Sequence, residues 1–197
     1  MRGCKFTFFG SQTRKTPFIE RHAALFSGMK RIMIIGSPGS GKSTLARQLG
    51  EYYDLPVFHM DREVTWLPGW VNRAKADKTS IIQRIIAGEA WVFEGGHSKS
   101  YAIRLARADL LIWLDFRLPV RLLRVLGRTW RDRGQARADL QDECPERLSM
   151  LPEFIWYIVS TRKSARRKQE QAIETAIRKT LHFKRTADLE RWRSNLH

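Results

Sequence analysis

Cysteine is almost missing from this chain. Cys4 and Cys144 are the two in 197 residues, and their separation matches no metal-ligand spacing. A disulfide framework and a zinc site are therefore both unsupported, and a reducing, cytoplasmic setting is expected. Acids are scarce as well: 20 Asp and Glu stand against 36 Lys and Arg, for a formal charge of +16. Such an excess favours anionic partners, but it does not choose among nucleic acid, an acidic membrane surface and a phosphorylated small molecule. No apolar run approaches the roughly 20 residues that cross a bilayer, so a soluble chain is expected. Internal repeats and low-complexity tracts are lacking too. What the sequence does have is 43% hydrophobic content over a length suited to one domain with a sizeable core.

Residues 1–28 carry Arg2, Lys5, Arg14, Lys15 and Arg21 against the single acid Glu20, without the uninterrupted apolar core of a secretory signal. This stretch reads as an extension outside the fold, an over-long start with Met29 as the working first residue. A weaker organelle-targeting reading stands beside it. The folded domain is expected over 29–197.

Ile32, Met33, Ile34 and Ile35 form a short apolar run ending at Gly36, which predicts a buried strand. From Ser43 to Tyr53, Leu45, Leu49 and Tyr52 fall at helical spacing. A second strand is expected over Pro56–Asp61, a loop with two large aromatics over Trp66–Trp70, and an amphipathic helix around Ile81–Ile86. Trp91–Phe93 and Leu110–Leu114 read as the third and fourth strands, closed by Glu94 and Asp115. An arginine-rich helix follows over Arg117–Arg137. Beyond it comes a long helix with an apolar start, Phe154 to Val159, and a basic continuation, Arg162 to Lys168. Trp156 and Tyr157 lie at its apolar start and are expected in the core. Thr180–Lys184 and Leu189–Leu196 predict a fifth strand and a closing helix. Strands that alternate with helices and are apolar on both faces predict an α/β fold, a parallel sheet covered on both sides.

Gly36-Ser37-Pro38-Gly39-Ser40-Gly41-Lys42-Ser43 fits G-x-x-x-x-G-K-[ST] between a predicted strand and a predicted helix, the context that motif requires. Its glycines let successive N–H groups converge on phosphate oxygens, and the following helix adds its positive end. Residues Gly36 to Ser43, with Thr44, are thus expected to bind ATP. Lys42 reaches the β and γ phosphates, and Ser43 offers a hydroxyl to the accompanying Mg²⁺. A carboxylate is needed near the metal, and Asp61, Glu94 and Asp115 compete as strand-end acids. The apolar run alone favours Asp115, but the acid must end the strand beside the loop's own strand, and adjacency is not visible in the residues.

Several pieces together carry a resemblance over about Lys30 to Arg191. They are the 36–43 loop, His59-Met60-Asp61 with Pro68-Gly69-Trp70 downstream, and Glu94-Gly95-Gly96-His97. The run Arg104-Leu105-Ala106-Arg107-Ala108-Asp109 and Cys144-Pro145-Glu146-Arg147 complete the set. The chain resembles the adenylate-kinase-like branch of P-loop kinases and, more narrowly, the small family known as DNA topology modulation proteins. The resemblance implies a P-loop NTPase three-layer fold with a five-stranded parallel sheet and an arginine-rich lid over about 117–147. It implies that the third strand in the chain lies beside the first, giving Glu94 the metal-side role through water, although Glu replaces the commoner Asp. Asp61 would then face the acceptor and take its hydroxyl proton or hydrogen-bond the substrate, with a plain helix-capping role as the alternative, and His97 would be a further acceptor contact or an ordinary loop residue.

In the stretch from Arg117 to Arg137, Asp132 is the only acid among seven arginines. Helical spacing puts Arg121, Arg124 and Arg128 on one face. By the same resemblance Arg128 and Arg133 are the expected catalytic arginines of the lid. The leading expectation is an ATP-dependent phosphotransferase with a small-molecule acceptor. A regulatory nucleotide-binding protein acting on DNA and a nucleotide-bound interaction module remain as rivals. Nucleic acid is a possible partner without a recognition motif. Trp66 and Trp70 suggest a flat ring in the acceptor pocket, and Pro68-Gly69 between them equally suggests a packed surface loop.

Overall fold

The computed structural model describes residues 28–131, 140, 144, 148–174, 176 and 179–196. Arg133, most of the expected lid beyond Arg131 and residues 1–27 of the N-terminal extension lie outside these described residues.

Five strands form one parallel sheet. They are β1 (Arg31–Gly36), β2 (Val57–His59), β5 (Trp91–Glu94), β6 (Leu110–Leu114) and β7 (Lys179–Phe183), in the order β2-β5-β1-β6-β7. The third of these in the chain, β5, therefore lies beside the first, with Ile34 in register with Glu94. Along β1 the period-2 alternation of a strand splits the side chains between two layers. Ile32 and Ile34 join a core with Leu45 and Leu49 of α1 (Lys42–Tyr53) and with Leu189 and Trp192. Met33 and Ile35 join a core on the other face with Ile82 and Ile85 of α2 (Lys75–Ala87), and with Tyr101 and Leu105 of α3 (Tyr101–Arg107). The helices α4 (Leu118–Arg131), α5 (Leu151–Glu174) and α6 (Thr186–Ser194) complete the architecture. Burial on both faces is why these strands read as unbroken apolar runs. No helix among the described residues is long and apolar enough to cross a membrane.

Three expectations need correction. The second strand stops at His59 rather than Asp61, because its one neighbour in the sheet, β5, ends at Glu94 and leaves Met60 and Asp61 without a ladder partner. There Met60 crosses close over Gly95: a Cβ on Gly95, whose φ is +130°, would lie 2.2 Å from the Met60 Cβ. The chain turns away through a π-helical turn, Met60–Thr65. Second, Trp66–Trp70 is not simple loop, since Trp66–Leu67 and Val71–Asn72 pair as a small antiparallel hairpin, β3 and β4. Third, Trp156 and Tyr157 are 71% and 50% exposed, not core. The buried face of α5 runs through Ile158, Gln169 and Ala172, and at about 100° per residue Trp156 points away from it.

The start of β1 is fixed by Asp109, just before β6. Its carboxylate accepts the backbone N–H of Lys30 at 3.1 Å and of Arg31 at 3.0 Å, and pairs with the Arg31 guanidinium at 2.8 Å. Burial alone would raise this carboxyl's pKa, but the Arg31 side chain and the two N–H groups outweigh it and hold the pKa below the usual range. A depressed folded pKa gives stability that is present above the unfolded value of about 3.9 and lost as pH falls through the folded one. Asp109→Ala should therefore lower unfolding free energy by about 1–3 kcal/mol at pH 7. The difference from the parent should shrink at pH 3 and below. Urea denaturation at the two pH values checks this, and an equal deficit at both would show that the charge is not what matters.

Candidate functional site

The β1–α1 connection holds the glycine-rich loop, and its shape depends on what lies behind it. Gly39 has φ +78°, and a Cβ there would lie 2.5 Å from the Arg121 carbonyl oxygen and 3.0 Å from Val125 Cγ2 of α4. Only glycine allows both the left-handed backbone and that approach. Arg124, one turn on from Arg121, donates to the Ser40 carbonyl at 3.2 Å and to the Thr186 hydroxyl at 3.1 Å, with its guanidinium over the Phe116 ring. Arg121 is 5% exposed, and its Nε has no hydrogen-bond partner among the described residues; the buried Ser40 hydroxyl likewise has none. Lys42 Nζ rests 3.4 Å from the Ser37 carbonyl.

At the foot of the loop, Ser43 Oγ donates to Glu94 Oε1 at 3.0 Å, and His59 Nδ1 lies 2.9 Å from the same oxygen. His59 and Glu94 are both buried, so for this contact to be a hydrogen bond the histidine carries its proton on Nδ1. The turn after Glu94 is held by Arg104, which is fully buried. It donates to the Phe93 carbonyl at 2.7 Å and the Gly95 carbonyl at 3.0 Å, and lies over the Phe93 ring at 4.2 Å. Burial draws its pKa down to about 10, with Tyr101 and Glu94 acting the other way, so it remains a cation at neutral pH.

The loop and the Ser43–Glu94 pair open into one cleft of about 1280 Å³. Every residue from Gly36 to Thr44 lines it, as do Asp61, Glu94, His97, Arg121, Arg124 and Arg128. The structure thus gathers the expected candidates Lys42, Ser43, Asp61, Glu94 and Arg128 around a single space. Asp115 is not among its walls. That carboxylate instead takes Arg166 of α5 at 3.2 Å and His182 of β7 at 3.2 Å, tying these elements to the end of β6. His97 faces the cleft with its pKa lowered, by burial first and then by Lys78, Arg104 and Lys99. Among the described residues no group of three or more His, Cys, Asp or Glu is placed to hold a metal by itself.

Sequence reading named neither His59 nor Arg104 for a role at the site, and it ranked Arg128 above Arg124. The first two stood in motifs quoted for resemblance, but their partners are 35 residues away for His59 and 9 and 11 for Arg104. The helical face shared by Arg121, Arg124 and Arg128 was legible. Which of them touches the loop depends on how α4 docks, 84 residues beyond Ser40.

A family model described as AAA domain matches residues 32–145, more than half of the chain. The chain belongs to the AAA domain family. It is also 31% identical over 109 residues to the shikimate kinase of Blochmanniella floridana, covering 48% of this chain and 59% of that one. The chain thus spans somewhat under two thirds of the curated relative's length. Among solved structures it resembles shikimate kinase from Acinetobacter baumannii in complex with shikimate, at TM-score 0.53 and 17% identity over 88% of this chain and 96% of the other. Shikimate kinase from Bacteroides thetaiotaomicron matches at TM-score 0.52 and 18% identity over 86% and 95%. These likenesses show the P-loop kinase-like fold of the wider resemblance and do not speak to the narrower one.

Gly39→Ala combines strained backbone with a clash against main chain that has no flexible end to yield. It should cost roughly 2–4 kcal/mol in urea denaturation. An unchanged midpoint would show that the loop is not seated against α4.

Proposed function

We propose that this protein is an ATP-dependent phosphotransferase that moves the γ-phosphoryl group of ATP to a hydroxyl of a small molecule held in the same cleft. The observation that carries the reading is the Ser43–Glu94 hydrogen bond at the foot of the glycine loop, facing a space shared with Asp61. The residues fit a triphosphate with its magnesium: the loop is a cradle that a Cβ at Gly39 would disrupt. The buried Arg121 Nε and Ser40 Oγ, both without a partner among the described residues, stand beside it. The Ser43 hydroxyl and the Glu94 carboxylate are the groups that would hold Mg²⁺, which when bound neutralises charge on the β and γ phosphates. The curated shikimate kinase relative supports the reaction class.

In this reading the loop N–H groups and Lys42 orient the phosphates, Lys42 leaving its 3.4 Å contact with the Ser37 carbonyl to do so. The acceptor's hydroxyl oxygen forms a bond to the γ phosphorus as the bond to the β,γ-bridging oxygen breaks, and ADP departs with that electron pair. The hydroxyl proton passes to the Asp61 carboxylate and then to water. Arg121, Arg124 and Arg128 offset charge spreading over the transferred group, and Arg133 is assigned the same role. Catalysis is then positioning plus charge stabilisation rather than covalent chemistry by the protein.

ADP release that depends on an added small-molecule acceptor tests the reaction. Lys42→Ala should lower it by about 100-fold or more. ADP release that is unchanged in Lys42→Ala would end the reading. His59 shares Glu94 Oε1 with Ser43, so His59→Ala should let the carboxylate wander. The magnesium concentration needed for tight nucleotide binding should rise about 10–100-fold, with metal-free ATP affinity unchanged. Fluorescent-nucleotide titrations across magnesium concentrations would show it. A shift in metal-free affinity with no change in magnesium dependence would take Glu94 off the metal side.

A further inference from the structure

We propose that the part of the cleft facing the loop binds an acceptor with a planar heteroaromatic ring that carries its hydroxyl, as a nucleoside does; this rests on the kinase reading and goes beyond it. Trp66 and Trp70 of the β3–β4 hairpin both line the cleft, their rings edge to face at 5.5 Å and 75°. Phe154 and Tyr157 of α5 line the same cleft and lie nearly parallel, at 6.3 Å and 12°. Four aromatic rings from two separate elements on one cavity suit a flat π-surface better than a puckered, saturated ring.

The backbone at Trp70 points the same way. Its φ is +63°, in the left-handed region that a bulky side chain rarely enters. Such strain persists only where the surroundings enforce it. Here the Trp70 N–H donates to the buried Cys144 sulfur at 3.4 Å, and that sulfur lies 3.5 Å from the Leu67 carbonyl, closing the hairpin turn. A turn built for economy would place a small residue at this position; this one holds an indole on a cavity wall.

Two buried polar atoms are still without partners. Neither Trp70 Nε1 nor His97 Nδ1 has a hydrogen bond among the described residues, and both residues line the cleft. An N–H donor and an imidazole nitrogen that burial keeps neutral are complementary to the mixed donor and acceptor edge of a nucleobase. An aliphatic ring offers no such edge.

The test uses the full chain saturated with magnesium and a non-hydrolysable ATP analogue, so that added adenosine or thymidine cannot occupy the nucleotide site. Calorimetry is expected to show saturable binding of at least one of these nucleosides, weakened about tenfold or more in Trp66→Leu or Trp70→Leu. Trp70→Phe keeps a ring and removes the N–H, so it should weaken binding less, and it guards against misfolding of the larger change. The affinity for the ATP analogue should stay the same in all three variants. Analogue binding with no binding of either nucleoside would overturn the inference while leaving the kinase reading intact. So would nucleoside binding indifferent to the tryptophan variants, or binding of shikimate, a non-aromatic ring, in preference to both nucleosides. Failure of the analogue itself to bind would bring down the kinase reading and the ring site together.

Discussion

One carboxylate oxygen joins three elements of this structure. Glu94 Oε1, at the end of β5, meets Ser43 from the first turn of α1 and His59 from the end of β2. That meeting is possible because β5 sits between β1 and β2 in the sheet, with His59 and Ile34 both in register with Glu94. The glycine loop leaves β1 at the same edge. Buried polar groups of this kind are costly unless paired, so the pairing fixes the acid, the hydroxyl and the histidine relative to one another. Arg104 then secures the turn that follows by holding the Phe93 and Gly95 carbonyls.

The lining of the cleft is of two chemical kinds. The loop and the cations Lys42, Arg121 and Arg124 make a surface suited to phosphate. Aromatic rings from the hairpin and from α5, with Asp61, line the same space. Asp115, the acid with the plainest strand before it, serves the scaffold by bridging α5 and β7. A strand-end carboxylate therefore takes its meaning from its neighbours in the sheet.

Much of the fold was readable in the residues because local rules agree with the tertiary outcome. Ile32 to Ile35 is apolar at every position since both sheet faces are covered, and that pattern is visible without coordinates. The 36–43 loop declared itself by spacing. The order of the sheet was not readable from the apolar pattern, which favoured Asp115; the family resemblance supplied one adjacency, that of the third strand to the first. Long-range pairings were also hidden: His59 with Glu94, Arg124 with Ser40, Trp70 with Cys144. The misreading of Trp156 and Tyr157 came from counting apolar residues at a helix start without knowing that Ile158 sets its buried face.

The central claim is that the backbone amides between β1 and α1 enclose a triphosphate whose magnesium is held from the Ser43–Glu94 side. Isothermal calorimetry of the unaltered protein with ATP, with and without magnesium, tests it most directly. The account predicts saturable heat that strengthens with magnesium and is absent for adenosine alone at the same concentration. Well-folded protein that gives no heat with magnesium and ATP, or the same heat with and without the metal, would contradict it.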